Sequence, residues 1–320
     1  MPTFKNLKEL MTKFRDEQVC RDYLVQHRWG GKPVCPYCGC DRSYKIENGK
    51  RFKCANKECY KKYSVTVGTV AEDSNIALST WFAAIYMISS HKKGISSIQL
   101  GKDLGIPQKT AWFLLHRIRE ALKDKNGLLL ANEVQADETY IGGLEGNKHA
   151  SKRVGNEKAT ELKTAVVGLQ ETGGKVVTKA SPWVTKGLVT DMILDHVDRP
   201  AKLVTDAAAI YRKVGMKFDH IVVNHHTGQY VNNGYHINGL ENYWSILKRG
   251  IYGIYHQVSR KHLQRYCDEF SFRYNSRKMG ESERFDLTLC QMEGALPYKV
   301  LTAKSKDHGV GKEIQETPEE

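Results

Sequence analysis

Three acidic residues and four cysteines are the side chains of this 320-residue chain best suited to holding metal ions. Asp137 follows an apolar-rich stretch, Leu128 to Ala136, and Asp206 follows a second one, Ala201 to Thr205. Glu241 lies in the run His236 to Arg249. Hard divalent cations such as Mg²⁺ take carboxylate oxygens and share their remaining places with phosphate oxygens. Two such ions about 4 Å apart can activate an attacking oxygen and stabilise a leaving one in an in-line displacement. Three carboxylates are about the minimum that would hold both. The cysteines form two pairs, Cys35 with Cys38 and Cys54 with Cys59, with fifteen residues between Cys38 and Cys54. Each pair can offer two thiolates from one turn to a tetrahedral Zn²⁺, and a module this small needs its metal to fold. Plainer readings stand beside these. Asp206, ahead of three alanines, is placed to cap a helix, Glu138 reads as a solvated neighbour of Asp137, and the cysteines could be reduced and empty.

These residues need elements to carry them. From about Asn238 the chain reads as a helix, with Leu240, Tyr243, Trp244 and Leu247 as its apolar stripe. Trp244 could stack on a base, but its place on the stripe favours core packing. Glu241 and Lys248 are two turns apart, so they share a face beside the stripe, and the cation could hold a phosphate. Upstream, strands are predicted to Ala136, over 164–169 and 175–180 about the Thr172-Gly173-Gly174 turn, over 201–205 and over 220–224. Helices are predicted over 187–197, 207–214 and 256–275. Three strands, a helix and two shorter strands give an α/β fold, the ribonuclease-H-like mixed five-stranded sheet over 128–280. In that sheet the first and fourth strands are neighbours, so Asp137 and Asp206 can meet.

The N-terminal part divides differently. Residues 1–30 read as a helical lead-in, and 31–70 as a zinc ribbon whose strands, Ser43–Ile46 and Arg51–Cys54, flank an Asn48-Gly49 turn. Cys20 and Cys40 are spare, Cys20 for packing. Residues 74–124 are helical, and Ile98–Leu104, Gly105-Ile106-Pro107 and Gln108–Leu122 make a helix-turn-helix layout. Gln108, Lys109, Thr110 and Arg117 would then reach bases or phosphates; a helical linker between domains is the bland alternative. The charged loop Asn147 to Lys163 includes Lys148, Lys152 and Arg153, and residues 302–320 read as a disordered polar tail. Lys and Arg number 49 against 36 Asp and Glu, a net charge of +13. That balance favours a polyanionic partner, nucleic acid before an acidic membrane surface. No apolar run approaches a membrane span and the N-terminus has no signal-peptide layout, so a cytosolic or nucleoid location is expected, with reduced cysteines.

The local wording points further. Ala136-Asp137-Glu138-Thr139-Tyr140-Ile141-Gly142-Gly143, Thr205-Asp206-Ala207, and His236-x-Asn238-x-x-Glu241-x-x-Trp244-Ser245-x-Leu247-Lys248-Arg249 resemble bacterial insertion-sequence DDE transposases with an N-terminal zinc ribbon. The resemblance covers roughly residues 15–280. It implies a metal-dependent enzyme that cleaves DNA at its element's terminal inverted repeats and transfers the freed 3′-hydroxyl into target DNA. Asp137, Asp206 and Glu241 would hold two Mg²⁺ or Mn²⁺ ions, and one structural Zn²⁺ would sit on Cys35, Cys38, Cys54 and Cys59. Lys248, Arg249 and the basic loop would follow the DNA backbone, with Asn238 or Asn242 as competitors of Glu241 at the third acidic position. A dimer or larger assembly on DNA follows from joining two ends together. A ribonuclease-H-like nuclease or resolvase without strand transfer, and a non-catalytic DNA-binding regulator, are the alternatives.

Overall fold

The structure is a computed structural model and describes residues 4–142, 149, 163–224, 231–232 and 234–303. It begins with helices α1 (Leu7–Lys13) and α2 (Glu17–Trp29), capped by Asn6 and Asp16, whose side chains accept from Glu9 and Gln18 backbone N–H groups. The ribbon follows as an antiparallel sheet of β1 (Ser43–Ile46), β2 (Arg51–Cys54) and a short third strand β3 (Lys62–Tyr63). Its turn uses left-handed backbone at Glu47, Asn48 and Gly49. Phe52 and Tyr63 face inward against Trp29, with ring centroids 6.1 and 6.0 Å away, and so seat the ribbon on α2.

Helices α3 (Leu78–Ser90), α4 (Ser97–Leu104) and α5 (Gln108–Leu122) then build a bundle whose core is continuous with the ribbon's. After the sheet and two helices that pack on it, the chain returns to this bundle as α10 (Glu281–Cys290). Phe285 on α10 lies 5.2 Å from Phe4 and 5.3 Å from Phe82, so the C-terminal end closes the N-terminal core.

Between them lies the mixed sheet: β4 (Glu133–Ile141), β5 (Thr164–Glu171), β6 (Val176–Ser181), β7 (Lys202–Asp206) and β8 (Asp219–Val223), in the order β6-β5-β4-β7-β8. β4, β5 and β6 are an antiparallel meander; β7 and β8 run parallel to β4. This is the ribonuclease-H-like arrangement expected from the strand order, with the first and fourth strands side by side. Helices α6 (Lys186–His196) and α7 (Arg212–Gly215) cover one face. The other face carries α8 (Asn238–Gly250) and α9 (Leu263–Asn275), and a final short helix, α11 (Tyr298–Thr302), ends the described chain. Among the described residues no helix is long and apolar enough to cross a membrane.

Three local expectations are corrected. β4 does not stop at Ala136; pairing with β5 carries it on to Ile141, so Asp137 is a mid-strand residue. The predicted helix 207–214 is a 3-10 turn at Ala209–Tyr211 followed by α7, because the Asp206 side chain accepts from the Ala208 N–H and turns the chain. The helix predicted from His256 starts at Leu263, because His256 takes a left-handed φ of 57° and breaks the run.

Bundle and sheet are joined by a buried ionic triad. Glu269 on α9, fully buried, accepts from Arg119 on α5 at 2.5 Å and from Arg273 one turn along, while the Tyr255 hydroxyl donates to it at 2.5 Å. The Arg119 guanidinium also lies over the Tyr266 ring at 3.9 Å. A buried charge needs both pairing and hydrogen bonds to be tolerated, and Glu269 has both.

Candidate active site and zinc-ribbon centre

The alternation of β4 decides what its acids can do. Ala136 and Glu138 face α6 and α7, whereas Gln135, Asp137 and Thr139 face α8. Three polar residues in a row on a covered face need partners. Gln135 Oε1 accepts from the Leu240 N–H at 3.1 Å, satisfying a backbone donor in the first turn of α8. Trp244 Nε1 donates to Asp137 Oδ2 at 2.9 Å.

Two glycines allow that contact. Gly168 pairs with Asp137 across the ladder, and a Cβ there would stand 2.6 Å from the Trp244 ring. At Gly239 a Cβ would stand 2.9 Å from Gln135 Oε1. Helix α8 therefore lies hard against β4 and β5, with Leu240, Tyr243, Trp244 and Leu247 buried beneath it as the stripe predicts. Trp244 packs in the core and also fixes one carboxylate oxygen of Asp137.

Asp137, Glu241 and Lys248 line one open cavity of about 530 Å³, with Thr139, Ser245 and Arg249. Burial pushes the Asp137 carboxyl above the usual carboxylate range; the Trp244 hydrogen bond opposes this, and the charges of Asp206 and Glu241 push further upward. Asp206, the last residue of β7, therefore lies within electrostatic reach of Asp137. Asn242 lines a different cavity, on the far flank of α8 from Glu241. Glu138 is not a solvated neighbour: it is half-buried, accepts from the Tyr211 hydroxyl at 2.6 Å, and is raised by burial and by the charges of Asp137 and Asp206. It is a fourth carboxylate of the cluster, and its position beside Asp137 is the only hint the sequence offers.

The cysteine quartet is tighter. The Sγ atoms of Cys35, Cys38, Cys54 and Cys59 all lie within 4.8 Å of one another, the only such group of three or more His, Cys, Asp or Glu side chains among the described residues. Cys35 and Cys59 are 3.8 Å apart and Cys38 and Cys54 3.5 Å. Zn–S bonds of about 2.3 Å in a tetrahedron put the sulfurs about 3.8 Å apart, so the quartet fits that ion. Cys40 stays outside, against the Arg42 carbonyl, and Cys20 is buried, its thiol pushed up to about 12 by burial.

Of the residues predicted to meet DNA, Lys109 is exposed on the first turn of α5, its ammonium 5.6 Å from the Tyr298 ring. Arg117 is a correction. It is 7 % exposed, lies over the Trp81 and Phe113 rings and donates to the Glu72 carbonyl, so packing claims its guanidinium. Arg249 is exposed and tied at 3.1 Å to the Ser245 carbonyl. Lys148, Lys152 and Arg153 lie outside the described residues.

Residues 129–275 match the ISXO2-like transposase domain, and residues 15–62 match the transposase zinc-ribbon domain. The segment 129–275 belongs to the ISXO2-like transposase domain family. A protein of Halobacterium salinarum described as an uncharacterized protein in transposable element ISH50 is 26% identical over 277 residues, 81% of this chain and 91% of the relative. An uncharacterized transposase-like protein of Haemophilus influenzae is 27% identical over 103 residues, 32% of this chain and 82% of its own. Among solved structures, the Mos1 transposase paired-end complex with left transposon end aligns at a TM-score of 0.28 and 13% identity, over 67% of this chain and 79% of that one. The order and sense of the five strands carry the ribonuclease-H-like fold.

Proposed function

We propose that the acidic cluster is the active site of a DNA transposase that cleaves at the ends of its element and joins the freed 3′-hydroxyl to target DNA. The observation that carries this is the shared cavity: Asp137 and Glu241 open into it together with Lys248, while Asp206 loads Asp137 with its charge from the neighbouring parallel strand. Family membership and a relative within a transposable element support the same reading.

The residues present fit a pair of hard cations. Carboxylates crowded enough to raise one another's proton affinity are relieved by bound positive charge, and carboxylates arranged around two ions span more than those gripping one. Asp137, Asp206 and Glu241 would hold two Mg²⁺ or Mn²⁺, which when bound would activate the attacking oxygen and stabilise the leaving one. The chain supplies the rest. Trp244 donates its indole N–H to one Asp137 oxygen and walls the cavity with its ring. Lys248, seven residues after Glu241, offers an ammonium to a non-bridging phosphate oxygen. No side-chain nucleophile is required, because water and then the DNA 3′-hydroxyl attack phosphorus directly. One structural Zn²⁺ on the four cysteines would hold the ribbon, and a dimer or larger assembly would bring two ends together.

The test is joining of a labelled pre-cut end to target DNA with Mg²⁺ or Mn²⁺, comparing wild type with Asp137→Ala and Glu241→Ala. Joined product in wild type, falling to background in both variants, is expected. Cleavage without joining would make the protein a nuclease, and DNA binding with neither reaction a regulator.

A further inference from the structure

Helix α8 has two working flanks. Glu241, Ser245 and Lys248 face the acidic cavity; Asn242 and Ile246 face a second cleft of about 650 Å³ between the helical bundle and α9–α10; Arg249 lines both. That cleft is strongly cationic. Lys92 and Lys93, just past α3, line it with Arg249, Arg273, Arg277 and Arg284, against a single acid, Glu281, whose carboxylate already takes the Tyr86 hydroxyl. Arg273 is compensated from behind by Glu269.

Folding alone gives no reason to gather the others. Like charges brought together raise the energy of the native state unless an anion joins them. Several donors there are also unspent. Lys92 and Lys93 are exposed with no hydrogen bond or ion pair among the described residues, and Arg273 Nη1 and Arg284 Nε are buried without an acceptor. The wall between them is apolar, with Ile246, Phe270 and Tyr274, which strengthens any charge pairing made there. Arg277 lies over the Tyr274 ring at 4.1 Å and donates to the Gly173 carbonyl at 2.9 Å, so it is held in place.

We propose that this cleft seats the phosphate backbone of the DNA that runs on from the acidic cavity, with Arg249 handing the backbone across α8. The inference rests on the transposase reading and extends it to where the substrate lies. An array of cations continuous with a site that acts on phosphodiesters is better matched by a polyanion of regular charge spacing than by one small anion.

The test measures binding of a labelled DNA duplex to the full chain in EDTA, without catalysis, across a series of salt concentrations. Each phosphate contact contributes about 0.9 to the slope of log K against log salt. Lys92→Ala/Lys93→Ala is expected to lower that slope by roughly two and weaken binding about tenfold or more near physiological salt. Arg277→Ala is expected to lower the slope by about one. Both lysines are exposed and unbonded, so melting should match wild type. Arg212→Ala/Lys213→Ala/Lys217→Ala, exposed cations at α7 on the opposite face of the sheet, should leave the slope within about half a unit. An unchanged slope in the cleft variants, or an equal loss in the α7 control, overturns the assignment while leaving the active-site reading intact. Poly-glutamate binding that alone depends on Lys92 and Lys93 would make the cleft a protein-docking surface and overturn it too. A wild type that binds no DNA overturns both.

Discussion

The cysteine centre and the acidic centre solve the problem of gathering ligands in opposite ways. The four thiols come from one stretch of 25 residues, Cys35 to Cys59, and converge to within 4.8 Å of one another. The acids come from β4, β7 and α8, more than a hundred residues from first to last; those of β4 and α8 line an open cavity, while Asp206 of β7 acts on Asp137 through its charge. A closed tetrahedron of soft ligands suits a metal whose work is to hold a fold. An open rim of carboxylates, two of them raised by burial and by neighbouring charges, suits ions that must also take substrate oxygens. On the proposed reading, a metal would organise the protein at the first centre, and the protein would organise the metals at the second.

That contrast is broken first by removing metal. A strong zinc chelator, or Cys54→Ser, is expected to unfold the ribbon, because metal binding in such modules is worth on the order of 10 kcal/mol of folding free energy. Limited proteolysis should open the chain between residues 31 and 63 while the sheet survives, and a ribbon still resistant after zinc loss would show that its packing on Trp29 suffices. The next largest effect is at the joint between the two regions. Glu269→Ala leaves Arg119 and Arg273 buried and uncompensated, which costs about 3–5 kcal/mol. Denaturant unfolding should show that loss, with Glu269→Gln separating charge from shape. A change below about 1 kcal/mol would mean the triad does not couple bundle to sheet.

The same contrast explains what could be read in advance. Cysteine spacing is local, so the ribbon follows from it directly, and the strand order follows from alternation and turn residues. The position of Asp137 within its strand does not. β4 runs on past Ala136 because β5, a distant partner, continues to pair with it. Arg117 looks like a DNA contact on a helical wheel, and only the docking of α3 turns it inward. Gly168 carries no local signal, since its reason is an indole 76 positions away. Trp244 is legible as core but not as the donor that fixes Asp137. What escapes the sequence is the set of contacts that aim one element's side chain at another's.

Those aiming contacts give the third test. Gly168→Ala would place a methyl group 2.6 Å from the Trp244 ring and 3.1 Å from Leu240. Overpacking of this kind costs about 1–3 kcal/mol. The expected cost to joining is larger than the cost to folding, because displacing the indole releases Asp137; DNA affinity in EDTA should be unchanged. Equal joining rates for Gly168→Ala and wild type would show that Trp244 packs without positioning.

The smallest effect has the opposite sign, and it separates the two centres most cleanly. Asp137 is raised by burial, so in the absence of divalent metal its ionised form is a cost to the folded state. A carboxyl raised on folding favours the native state below its unfolded pKa, and that advantage is lost as pH rises through the folded value. Asp137→Asn removes the charge and keeps the shape, so in EDTA at neutral pH the variant should melt slightly higher than wild type, and the gap should close on acidification. Joining should meanwhile fall to background. No cysteine of the ribbon can show this pattern, because each of those ligands stabilises the fold it belongs to. A lower melting temperature for Asp137→Asn at neutral pH would mean that the carboxylate is paid back by hydrogen bonds within the fold, and that its place in the cavity is structural.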